Sequence, residues 1–218
     1  MFPMDEKDAT WLDSGHDQPG TVGFHIPPGF PAYARVLHPV YYYDDEHRDF
    51  PVDVTWKTIA AANGITLSRT SSFKSISPGE SYMPGESAEH DYGGPIENEL
   101  PDAQMRTLIR ILEVRTRTPD DCTFLWVNGV DSGLPDNAGY RINRAAGPCR
   151  VVTGRACSDA LIGLPSVWWP LDHSWIVVTQ VDMNSTLVGC AREVLSELVA
   201  EESLEVFEVS RDDLLERD

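Results

Sequence analysis

The chain has 218 residues, of which 41% are hydrophobic and 24% charged, enough to bury a core without disulfide or metal support, and its length favours one main domain. Its formal charge of −18 at pH 7 repels nucleic acid and anionic lipid at long range, which disfavours both as partners. No segment approaches the roughly 18–20 apolar residues of a membrane helix, and the acidic start MFPMDEKDATWLDSGHDQPG does not read as a signal peptide.

A cytoplasmic location follows as the expectation, with Cys122, Cys149, Cys157 and Cys190 as thiols rather than bridges. The charge is uneven. Residues 182–218 hold eleven Asp/Glu against three Arg, whereas residues 101–155 hold eight Arg against six Asp/Glu. Solvated surface is the plain reading of both blocks; an interaction face is the sharper one.

Residues 1–28 contain Gly15, Pro19, Gly20, Gly23, Pro27 and Pro28 without apolar periodicity and read as an irregular lead-in to a single α+β domain over 29–210. Alternation of Tyr33, Arg35 and Leu37 with Ala34, Val36 and His38 predicts a strand over 32–38, with Arg35 on its more polar face. Asp53 is the predicted cap of a short helix through Trp56, Ile59 and Ala60, which Gly64 ends in the left-handed conformation. Residues 68–98, rich in Ser, Gly, Pro and Glu, read as a long loop, disordered or acting as a lid or binding loop.

Met105, Leu108, Ile109 and Leu112 fall at i, i+3, i+4 and i+7 and predict a helix over 101–116. The nearly continuous apolar run CTFLWV at 122–127 predicts a central strand covered on both faces. Weaker strand signals lie near 140–142 and 149–153. WIVVTQV at 175–181 and the return strand 186–189 form a predicted hairpin. A helix over 191–201 follows, with Val194, Leu195, Leu198 and Val199 on its predicted buried side; Glu193, Glu197 and Glu201 repel at i, i+4, so packing must hold it. A last strand at 204–209 and an acidic tail at 211–218 complete the expected fold, a mixed or mainly antiparallel sheet with helices against it.

Signatures of the phosphate loop, zinc protease, nucleophile elbow and dinucleotide fold are absent from the sequence. No catalytic residue and no cofactor is therefore assigned. Residues 38–47 gather His38, Asp44, Asp45 and His47 beside three tyrosines, donors that a divalent ion could use. An exposed turn with tyrosine rims is the plainer reading of that cluster. The most distinctive stretch is WWPLDHSW at 168–175, where Trp168, Trp169, His173 and Trp175, with Asp182 further on, could line an aromatic ligand pocket. Neighbours on an extended chain point to opposite sides, however, so Asp172 is badly placed to orient His173, and a corner whose indoles plug the core is the simpler account.

Four pieces, GFPAYARVLHP at 29–39, Trp56 with the following Ile59-Ala60, CTFLWVNG at 122–129 and WWPLDHSWIVVTQVDMNSTLVG at 168–189, together resemble a group of actinobacterial proteins of unknown function. The resemblance implies a cytoplasmic bacterial protein and a shared fold, and transfers no catalytic residue. Similar proteins often carry Arg where this chain has His173. Three functions remain open at this point. The first is a non-enzymatic interaction protein, immunity-like or regulatory, with a basic protein partner; the second is a ligand binder or enzyme at the tryptophan corner; the third is a metal protein at 38–47.

Overall fold

A computed structural model describes residues 10–13, 17–43, 52–77, 91–95, 97, 100–127, 140–144, 147–155, 165–180 and 183–215. In chain order its strands are β1 Ala32–Leu37, β2 Val40–Tyr43, β3 Val52–Val54, β4 Asp91–Pro95, β5 Cys122–Val127, β6 Tyr140–Arg144, β7 Gly147–Gly154, β8 Val167–Pro170, β9 Ile176–Val178, β10 Ser185–Cys190 and β11 Glu205–Val209. The helices are α1 Val22–His25, α2 Trp56–Ala62, α3 Phe73–Ile76, α4 Asp102–Glu113 and α5 Arg192–Ala200. Eight strands form one sheet in the order β11-β1-β10-β9-β8-β5-β7-β6, every neighbouring pair antiparallel. A second sheet has the order β3-β2-β4. The fold is α+β, dominated by antiparallel sheet.

Because successive strand residues face opposite sides, the large sheet serves two cores. Ala34, Val36, Phe124, Trp168, Val177 and Val188 pack with Leu108 and Leu112 of α4 and Leu195 and Leu198 of α5. On the reverse face Tyr33, Leu125, Trp169, Ile176, Val178 and Leu187 meet Leu12, Val22, Ile26 and Leu215. Coverage of both faces explains why β1, β8, β9 and β10 are buried along their whole length. Gly189 is required on the reverse face: a β-carbon there would lie 2.7 Å from the Phe30 ring.

The predicted strands at 32–38, 122–127 and 204–209, the hairpin and both long helices are present, as are the segments near 140 and 149. Gly64 has φ +66 at the end of α2, as expected, but the cap is Thr55, whose side chain accepts the Thr58 N–H. The other differences come from pairing at long range. The segment read as an irregular lead-in carries α1, and Thr21 bridges Leu214 while Leu215 N–H bonds Gly20 O, so the described part of the acidic tail clamps it to the sheet. Val40–Tyr43, read as a tyrosine-rimmed turn, is a strand paired on both sides. Within 68–98, Phe73–Ile76 is helical and Asp91–Pro95 is a strand.

Among the described residues, two ion pairs join the charge blocks. Arg110 pairs with Glu201 at 2.9 Å and Arg115 with Glu197 at 2.7 Å, joining α4 to the acidic stripe of α5 and relieving the repulsion along that helix.

Candidate functional site

Trp168 and Trp169 follow one another on β8 and so enter different cores, Trp168 beneath α4 and α5, Trp169 beneath the N-terminal segment. Trp175 lies on the Trp168 side, edge-on to it at 4.9 Å, and its indole N–H donates to Leu112 O at the end of α4 at 2.9 Å. All three rings are almost wholly buried. Each therefore fills core, and together they do not face one cavity.

Asp172 and His173 serve the β8–β9 turn. The Asp172 carboxylate accepts from Thr116 Oγ1 at 2.8 Å, Arg117 N–H at 2.8 Å and Ser174 N–H at 3.1 Å, tying the turn to the segment after α4. Partial burial by itself raises the affinity of Asp172 for a proton, but the hydrogen bonds to Arg117, Ser174 and Thr116 outweigh it and hold the carboxyl below the usual aspartate value. His173 closes the turn with its N–H on Pro170 O, has φ 53, and stacks its ring on Trp11 at 4.4 Å. Asp182 lies outside the described residues.

Backbone geometry at His173 makes a direct prediction. The left-handed conformation costs an L-residue about 1 kcal/mol, which glycine avoids, while glycine loses the Trp11 contact and has more unfolded-state entropy. His173→Gly is expected to stay within about 1 kcal/mol of the parent, whereas the β-branched His173→Val should lose more than about 1 kcal/mol. Urea midpoints of the pair measure this; equal midpoints would mean that the turn relaxes freely.

Of the donors proposed for a metal, His38 is buried at the end of β1, its Nε2 hydrogen-bonded with Thr186 Oγ1 at 2.9 Å, which in turn bonds Thr179 Oγ1 at 2.7 Å. Asp44, Asp45 and His47 lie outside the described residues. Among the described residues no three His, Cys, Asp or Glu side chains form a group suited to a metal. Cys122, Cys149 and Cys190 are buried thiols not joined in disulfides, and burial pushes Cys190 up to about 12, which keeps it protonated and unreactive.

Arg35 is the least expected feature. Only 1% of it is exposed, in the middle of β1. Its Nε donates to Ser185 Oγ at 3.0 Å and its Nη1 to the carbonyls of Arg69 and Ser71 at 3.0 and 2.9 Å, while the guanidinium lies 5.5 Å from the Trp56 ring. A planar fork suits this arrangement of acceptors and aromatic face. Arg35 thereby fastens the segment after α2 onto the sheet.

The same segment forms one wall of a groove of about 590 Å³ at the β11 end of the sheet. Among the described residues β11 pairs with β1 alone, as the edge strand of the sheet. Ala60, Ala61, Ile65, Leu67 and Phe207 line the groove on the α2 side, and Val199, Glu202, Leu204 and Val206 on the α5 side. The two walls belong to opposite faces of the sheet, because Val36 and Leu37, their neighbours on β1, belong to different cores. Val199, predicted as buried, is 53% exposed at this rim.

Glu205 sits where the walls meet. Its carboxylate accepts the N–H groups of Trp56 at 2.7 Å and Lys57 at 2.8 Å, capping α2 from a strand nearly 150 residues away in sequence. Burial pushes Glu205 above the usual glutamate value, opposed by those two N–H groups and by the Lys57 charge. Glu205 is committed to the helix end, which leaves the groove apolar with Glu202 and Lys57 at its margins.

No family model matches the chain, and no curated protein or solved structure is significantly similar to it. No helix among the described residues is long and apolar enough to cross a membrane.

Proposed function

We propose that the protein is a non-enzymatic binding protein, of the immunity-like or regulatory kind, that takes a basic protein partner at the β11 end of its sheet. The observation that carries this reading is β11 as the edge strand of the large sheet, with no second strand paired to it among the described residues, beside an apolar groove, on a chain of charge −18. Open edges are usually blunted or covered, and a groove beside one offers both backbone and apolar contacts. The acidic surplus favours a basic partner and speeds its approach. A ligand site at the tryptophan corner has weaker support, since its three indoles are consumed by packing.

Val199 and Glu202 are exposed, so Val199→Lys/Glu202→Lys should leave the fold intact while reversing the charge at the groove. Capture from native lysate at low salt is expected to recover a basic protein with the parent chain and to lose it with the double variant or at high salt, where surface charge is screened. Equal recovery by parent and variant, or no specific partner, would remove the reading.

A further inference from the structure

Resting on that reading, we infer that the occupant is an extended basic segment that adds to β11 as a ninth strand of the large sheet, with alternating apolar and Lys/Arg side chains. Alternate residues of an edge strand direct both N–H and C=O away from their one partner, so β11, paired through Tyr33↔Val209 to Leu37↔Glu205 with β1, presents a ladder on its free side. A strand laid there runs between the two walls and turns successive side chains to opposite faces.

The walls differ in chemistry. Toward α2 the side chains meet Ala60, Ala61, Ile65, Leu67 and Phe207, an aliphatic and aromatic surface with Thr55 and Lys57 at its edge. Toward α5 they meet Val199 and Val206 with Glu202 beyond. An apolar residue suits the first wall. Lysine or arginine suits the second, its stem lying on Val199 and its charge reaching Glu202. Farther along β11, Glu208 on the α5 face is exposed and ion-paired with Arg192 at 3.3 Å, so a basic residue of the incoming strand there would compete with Arg192 for it. Glu202 thus favours a basic residue on the α5 side of the incoming strand, while Lys57 on the α2 wall disfavours one there. A second copy of this chain fits poorly, since it brings another −18 to the same edge.

The test uses a synthetic peptide of about ten residues alternating valine and lysine, long enough to span a strand. Its controls are the same composition in two blocks and the alternating peptide N-methylated on every second residue. Backbone amide spectra of the full chain at low salt read the site. The alternating peptide is expected to shift and protect the amides of 205–209, and to bind roughly tenfold more tightly than either control. Val199→Lys/Glu202→Lys should weaken it by a similar factor.

Equal binding of the N-methylated peptide within the groove would overturn strand addition while leaving a basic partner in place. Absence of any shift at 199–207 with all three peptides would overturn both readings. A free chain that sediments as a dimer with 205–209 already protected would overturn the inference in favour of self-pairing.

Discussion

Arg35→Ala is expected to lower the unfolding free energy by about 3–5 kcal/mol, a large part of the 5–15 kcal/mol typical of a domain. Two effects combine. The substitution opens a cavity beneath Trp56, and it leaves the Ser185 hydroxyl and the Arg69 and Ser71 carbonyls without the donor that Arg35 supplies, at about 1–3 kcal/mol for the buried Ser185 group and less for the two part-buried carbonyls, which water can reach. Arg35→Met separates the two, because it restores much of the volume without the donors. It should remain less stable than the parent by about 2–3 kcal/mol, and amide exchange at 65–72 should accelerate, since the groove wall has lost its anchor. Urea denaturation with hydrogen exchange measures both. An Arg35→Met chain as stable as the parent, with unchanged exchange at 65–72, would show that apolar packing replaces the network, as it does for some buried ion pairs. The groove is then independent of Arg35.

What was readable in the sequence was local. Met105, Leu108, Ile109 and Leu112 are spaced for one helical face, and they are buried on one. CTFLWV has no polar face, and its strand lies between two covered faces of the sheet. Arg35 marked the limit. In a strand of alternating residues an arginine signals solvent, yet the segment carrying Arg69 and Ser71 folds over that face and buries it. Nothing in the spacing of β1 shows what a stretch some thirty residues later will cover.

The groove was hidden for the same reason. Leu204–Val209 reads as a strand, but whether it ends up central or at an edge depends on pairing with β1, about 170 residues earlier. Val199 fits the apolar stripe of α5, yet it lies exposed at the rim of the groove beside β11. Glu197 and Glu201 read as mutually repelling, whereas Arg110 of α4 and Arg115 just beyond it pair with Glu201 and Glu197. The tryptophan corner was the reverse case, since adjacency on a strand already separates Trp168 from Trp169.

Trp175→Ala is expected to cost about 3–5 kcal/mol, as for other large-to-small changes in a closed core. The ring is buried between Trp168 and the end of α4, where helix carbonyls run out of intrahelical partners, and its N–H reaches one of them at Leu112. Trp175→Phe keeps an aromatic edge for Trp168 but withdraws the donor and about a third of the ring, so about 1–3 kcal/mol is expected. Urea midpoints give the stability, and amide exchange over 108–116 tells which loss dominates. If the hydrogen bond matters, the phenylalanine variant frays the last turn of α4 more than its modest loss of volume predicts. Because Asp172 ties the β8–β9 turn to Thr116 and Arg117 just beyond α4, fraying there should also raise exchange at Ser174, whose N–H is held by that carboxylate. A Trp175→Phe chain with parental stability and undisturbed exchange at both places would show that ring volume alone holds the corner. In neither case should binding at the β11 groove change, since Trp175 is buried in the core with Leu112 and Trp168 and contributes nothing to the groove lining.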